Sequence, residues 1–172
     1  TFAIRKIGNF KTLLWQLVIA ALLSSLYLPF VPKVVDFRML FLSFMLGFVH
    51  LLGVLSFFRA IQVGNASLSG AISGSFSPLV VILSMIFFGE KLDFHQAVGI
   101  AIVFMGIALV SFRKDELQKI KLSTDKGIKF SLLAMLLWAV YFTFIRIPAE
   151  KIGWFWQPYT YNLNVIVLLL YA

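Results

Sequence analysis

The chain contains no cysteine. That one absence removes disulfide frameworks, thiol nucleophiles and cysteine-based metal sites together. Charge is also thin: Asp, Glu, Lys and Arg make up 13% of the residues, against about 25% in an ordinary soluble domain. Acids number seven, and none lies deep in an apolar run. No nucleophile–base pair, no metal-ligand spacing and no phosphate-cradling glycine loop can be found, so the residues carry no enzyme constellation, no metal site and no cofactor. Residues 1–8 have neither a Met nor the layout of a signal peptide.

What is present is oil. Apolar residues form 61% of the chain, and the mean hydropathy is +0.97. Nineteen Phe among 172 residues ask for more core than a domain of this size supplies, so lipid must cover the outside. The formal charge of +8 sits in short loops between apolar stretches. That placement suits phosphate headgroups and orientation signals, not the clustered basic face of a nucleic-acid binder.

The stretch 66–112 organises the rest. Two uncharged blocks, 67–88 and 96–112, flank the polar knot Gly89-Glu90-Lys91-Leu92-Asp93. Each block is long enough at ~1.5 Å per residue to approach or exceed a hydrocarbon core of ~30 Å, so the pair reads as an antiparallel membrane hairpin. Further spans are expected at 10–30, 39–60, 128–147 and 154–172, with a polar linker over 113–127. They should be helices, because in lipid each backbone N–H must be satisfied within its own segment. The alternating segments of a β-barrel are absent.

An internal repeat is visible. Thr1-Phe2-Ala3-Ile4-Arg5 and Lys6-Ile7-Gly8 match Thr143-Phe144-Ile145-Arg146 and Lys151-Ile152-Gly153. The unit is about 145 residues and five helices, and an odd number of crossings inverts the second copy. On this reading the chain is a fragment, short of most of its first helix and about three helices at its end.

The run 57–112 also carries a resemblance. Phe57-Phe58 and Ala60 precede Val63-Gly64-Asn65-Ala66-Ser67; Ser77-Pro78 falls within a helix; Gly89-Glu90-Lys91-Leu92 follows, then Gly99 and Gly106. With Leu137-Trp138-Ala139 and Tyr141-Phe142 resembling the opening of a second copy, the chain resembles EamA-domain transporters of the drug/metabolite transporter (DMT) superfamily. The resemblance implies an all-α polytopic membrane bundle of ten helices in two inverted five-helix repeats. Residues 1–112 would be the first repeat, with the end of helix 1 and helices 2–5. Residues 113–127 would be the linker, and 128–172 the start of the second repeat, helices 6–7. It also implies transport of small metabolites, amino-acid-like or drug-like, by alternating access in the plasma membrane.

Candidate residues follow from chemistry out of place. His50 is the one titratable side chain deep in a span and reads as a solute or proton site, or as a neutral core histidine bonded to a neighbouring helix. Ser69, Ser73, Ser77 and Ser84 share one helical face, which either lines a wet cavity or lets helices approach beside Gly70 and Gly74. Pro78 removes a backbone donor at mid-span and is a hinge or a plain kink. Trp138 and Tyr141 are cavity candidates; Trp154, Trp156 and Tyr159 read as an interfacial belt. In the knot, Asp93 is placed to cap the next helix, with Lys91 pairing with Glu90 or Asp93. The candidate substrate site is therefore His50, Ser69, Ser73, Ser77, Trp138 and Tyr141, with Pro78 as hinge. The partners are a small-molecule solute and the bilayer, with a homodimer open and nucleic acid excluded. The competing reading is a non-transporting scaffold or half-unit that acts by assembling with another chain.

Overall fold

The computed structural model describes residues 6, 8–31, 36–111 and 126–171. Residues 113–125 of the expected linker, and residues 1–5 and 7 of the first repeat copy, lie outside the described residues. Among the described residues every regular element is helical. Helix α1 (Asn9–Ser25) ends before a 3-10 turn, Leu28–Phe30, that takes Pro29 into its start. Helix α2 (Phe37–Val63) begins at Asp36, whose carboxylate accepts the N–H groups of Arg38 and Met39 at 3.0 and 3.2 Å. Helix α3 (Ala66–Gly74) is capped in the same way by Asn65, at 2.9 and 3.1 Å from the N–H groups of Ser67 and Leu68. Both are short polar side chains satisfying the first orphan donors of a helix.

Helix α4 (Phe76–Phe88) continues α3 after a break at Ser75. The cause is Pro78: it has no N–H for the carbonyl four residues back and its ring crowds that carbonyl. The pattern recurs where helix α6 (Lys126–Phe144) breaks at Ile145 before helix α7 (Arg146–Ile152), three residues ahead of Pro148. Helix α5 (Phe94–Ser111) lies between these two bent rods in sequence. The chain then forms helix α8 (Trp156–Leu163) and helix α9 (Val165–Tyr171), separated at Asn164. Among the described residues three rods are long and apolar enough to cross a membrane: Phe37–Val63, Ala66–Phe88 and Lys126–Ile152, with mean hydropathies of 2.1, 2.0 and 1.9. Large apolar side chains stay outside, among them Leu22, Ile86 and Ile102 at 66, 69 and 63% exposure, which only lipid makes affordable.

The rods alternate in direction. Helix α2 runs antiparallel to α6, with Leu46 against Tyr141 and Ile145, His50 against Tyr141, and Gly53 against Trp138. Helix α8 runs parallel to α2, with Ser43 beside Thr160 and Gly47 beside Tyr161 and Asn164. The α3–α4 rod runs parallel to α6, from Ser73 at Ser131 to Phe88 near Phe144. The α3–α4 rod and α6 share a direction because α5 stands between them in sequence, as successive membrane crossings require.

The expected hairpin over 66–112 is present, but its arms splay. Gly89, at φ 66°, ends α4 by giving its N–H to the Met85 carbonyl at 3.1 Å. Helix α5 then makes its main contact with α3, at the far end from the turn, rather than along α4. The knot also departs from expectation. Glu90 pairs with Arg146, which also holds Glu150 at 2.8 Å and lies over the Phe88 ring at 5.3 Å. Asp93 holds the His95 ring nitrogen at 3.1 Å, and it is the Gln96 side chain that accepts the Asp93 N–H, at 3.1 Å. With both acids committed, Lys91 makes no ion pair among the described residues. A guanidinium fork reaching across from α7 outcompetes a neighbouring ammonium for Glu90.

Close approach of α2 to α6 depends on small residues. A Cβ on Gly53 would sit 2.6 Å from the Trp138 indole, and one on Gly47 would sit 2.9 Å from the Asn164 amide. Ala60, Ala134, Ser43 and Ser131 are fully buried. Two glycines stand in a backbone region that only glycine tolerates: Gly8 at φ 86°, ψ 163° and Gly153 at φ 86°, ψ 166°. We expect Gly53→Leu to lower stability in detergent by about 1–3 kcal/mol through overpacking against Trp138. Gly8→Ala and Gly153→Ala should each cost about 1–3 kcal/mol through backbone strain. Thermal unfolding of the purified variants measures all three.

Candidate functional site

His50 stands at the midpoint of α2, with thirteen residues of the helix on either side. Its imidazole stacks on the Tyr141 ring, with centroids 4.4 Å apart and planes at 28°. Tyr161, from α8, meets it edge-on at 4.6 Å, Phe142 at 5.8 Å, and Trp138 tilts toward it at 6.1 Å. Three helices thus bring a polar ring and four aromatic rings together at mid-membrane depth. Tyr141 is buried because it faces α2; Trp138 lies one turn back, where Gly53 leaves room for the indole.

Two nitrogens in this cluster, His50 Nδ1 and Trp138 Nε1, are buried without a hydrogen-bond partner among the described residues. So is Asn164 Oδ1, in the amide whose Nδ2 lies against Gly47 of α2. A buried donor or acceptor left unpaired costs about 1–3 kcal/mol, a cost that a polar partner at His50 Nδ1 or Trp138 Nε1 would relieve. The chemistry on offer is one indole N–H donor, one amide carbonyl, an imidazole that donates or accepts according to tautomer, and aromatic faces. Those groups can hydrogen-bond and stack on a small polar molecule.

The structure distributes the other sequence-derived candidates elsewhere. Ser69 and Ser73 are buried within the bundle, and the Ser73 hydroxyl donates to the Ser131 carbonyl at 3.3 Å, across the α3–α6 contact. Ser77 and Pro78 face a different space, a cavity of about 350 Å³ between α4 and α5. So His50, Trp138 and Tyr141 come together, while the serine face divides at the Ser75 break between a helix contact and this cavity. Along the belt sequence, Tyr159 stacks on Phe155 at 5.5 Å and meets Trp156 at 5.8 Å, with Trp154 exposed.

Sequence reasoning missed Tyr161 and Asn164. The signal was available for Asn164, an amide inside the apolar run 163–170, where a polar side chain must find a helix to bond. It donates to the carbonyls of Thr160 and Phe44 at 3.1 and 3.4 Å, next to the buried Ser43–Thr160 hydroxyl pair at 2.7 Å. Tyr161 gave no signal that set it apart from the belt aromatics before it.

Comparison with known proteins adds one match. The model of the EamA-like transporter family fits residues 1–112. No curated protein matches the chain, and no solved structure does. The match takes in 112 of 172 residues, and the all-helical bundle of long apolar rods agrees with the polytopic fold of that family. The chain belongs to the EamA-like transporter family, within the drug/metabolite transporter superfamily.

Proposed function

We propose that the protein moves a small metabolite, amino-acid-like or drug-like, across the plasma membrane by alternating access. The observation that carries this is the His50 cluster: a titratable ring at the centre of a membrane span, enclosed by Trp138, Tyr141 and Tyr161, with unpartnered nitrogens on His50 and Trp138. Ionisable and unpaired polar groups at that depth are costly and mark solute pathways. Solute enters between α2, α6 and α8, takes the free indole N–H and imidazole nitrogen, and slides its apolar part between the rings. Release to the other side needs one group of helices to rock against another, and the proline breaks at Ser75 and Ile145 supply compliance.

We place the first of two inverted repeats at 1–112, a linker at 113–127 and the opening of the second repeat from 128. What supports the repeat is the matching backbone of Gly8 and Gly153, the two glycines that close the Lys-Ile-Gly matches. Such a conformation is rare enough that two copies at corresponding places favour a common unit.

The test is transport in reconstituted vesicles loaded with a mixture of amino acids and other small metabolites, with efflux read by mass spectrometry. His50→Ala and Trp138→Phe should each lower efflux of the transported species about tenfold, with membrane insertion unchanged. Ser73→Val, whose hydroxyl is spent on a backbone carbonyl, should leave efflux close to the parent. Undiminished efflux in both cluster variants rules out this locus as the solute site.

A further inference from the structure

The splayed hairpin encloses a second space, and its place in a membrane bears on what fills it whether or not the protein transports a solute. The cavity of about 350 Å³ between α4 and α5 is within the size of an organic ligand site. Its walls are Pro78, Val81 and Met85 on one rod and Gly99, Ile100 and Val103 on the other. Polar groups gather at the turn end: Glu90, Lys91 and Gln96. From Pro78 to Phe88 the α4 wall rises about 15 Å at 1.5 Å per residue. That is half of a hydrocarbon core of ~30 Å, the depth of one leaflet.

The turn, with its charged residues, belongs at the headgroup level, and the apolar walls run down from it toward the bilayer midplane. Below its mouth, and apart from the Ser77 hydroxyl at its deep end, the cleft offers water nothing to bond, so it fills with hydrocarbon. The charge pattern selects which hydrocarbon-bearing molecule. Glu90 is tied to Arg146 and Asp93 to His95, so the mouth presents Lys91 as an ammonium without an acidic partner among the described residues. A phosphate is the complementary group that a membrane supplies at that level. We propose that the α4–α5 cleft binds a phospholipid, with one acyl chain seated between the two helices and its phosphate on Lys91.

Gly99 makes the site testable without a clash, because a Cβ placed there meets nothing within 4 Å. Gly99→Leu therefore pushes its side chain into the chain's path while sparing neighbouring atoms. The full-length protein is reconstituted in phosphatidylethanolamine–phosphatidylglycerol vesicles doped with a phospholipid bearing a photoreactive diazirine on its acyl chain, and labelled peptides are identified by mass spectrometry. A parallel sample uses a diazirine fatty alcohol, which has no phosphate. Phospholipid label should concentrate on the peptides carrying Val81, Met85 and Val103. Gly99→Leu should reduce it about tenfold. Lys91→Gln should reduce phospholipid label about fivefold while leaving fatty-alcohol label unchanged, since one basic side chain near a membrane surface is worth about that factor. Lys91 is exposed in the turn, so its variant reports on the site even if Gly99→Leu disturbs folding. Label no denser in the cleft than on the lipid-facing Leu22 and Leu23 overturns the proposal. So does label indifferent to Gly99→Leu in a correctly inserted protein. Equal loss of both probes in Lys91→Gln overturns the phosphate contact.

Discussion

The bundle depends on how closely α2 can approach α6. In a bilayer, apolar surface gains nothing by leaving lipid for protein, so helices associate through close packing and a few polar bonds. Gly53 gives the Trp138 indole its place, and Gly47 gives α8 its place. Everything described at mid-membrane depth follows from those two approaches: the Tyr141 face stacked on His50, Tyr161 at its edge, and the Ser43–Thr160 hydroxyl pair. The remaining buried hydroxyls are largely satisfied within their own helices. Ser56, Ser131 and Thr143 each donate to the carbonyl four residues back, at 2.8, 2.9 and 2.7 Å. The few polar atoms left over are therefore conspicuous, and two of them sit in the His50 cluster.

Much of the architecture was legible in the amino acids. Uncharged runs of span length announced the long rods, whereas the one cap read from the sequence, Asp93, turns its carboxylate to His95, and the caps at Asp36 and Asn65 were not foreseen. Pro78 marked a break and the structure has one, three residues earlier at Ser75. The candidate site was legible in part. His50, Trp138 and Tyr141 each stood out by being unusual at its depth, and the fold brings the three together. The serine face was harder: a shared face on an ideal helix assumes a straight rod, and the break divides it, sending Ser73 to a helix contact and Ser77 to the cleft.

Pairings across long sequence distances were not legible. Nothing near Lys91 announces that Glu90 will turn to Arg146, 56 residues on, because local spacing favours the adjacent ammonium. Tyr161 likewise joins His50 only through the parallel packing of α8 on α2. Periodicity describes one helix at a time; the partner's identity is set by which small residues permit approach, and that becomes apparent only when the rods are placed side by side.

The twin breaks at Ser75 and Ile145 have a mechanical meaning. Each proline has already dissolved one rung of its rod, so bending there sacrifices no further backbone bond. The Arg146 fork then fastens the tip of α4 to the elbow of the neighbouring rod. An exposed ion pair is a weak tie, so this contact biases the two joints toward bending together without locking either.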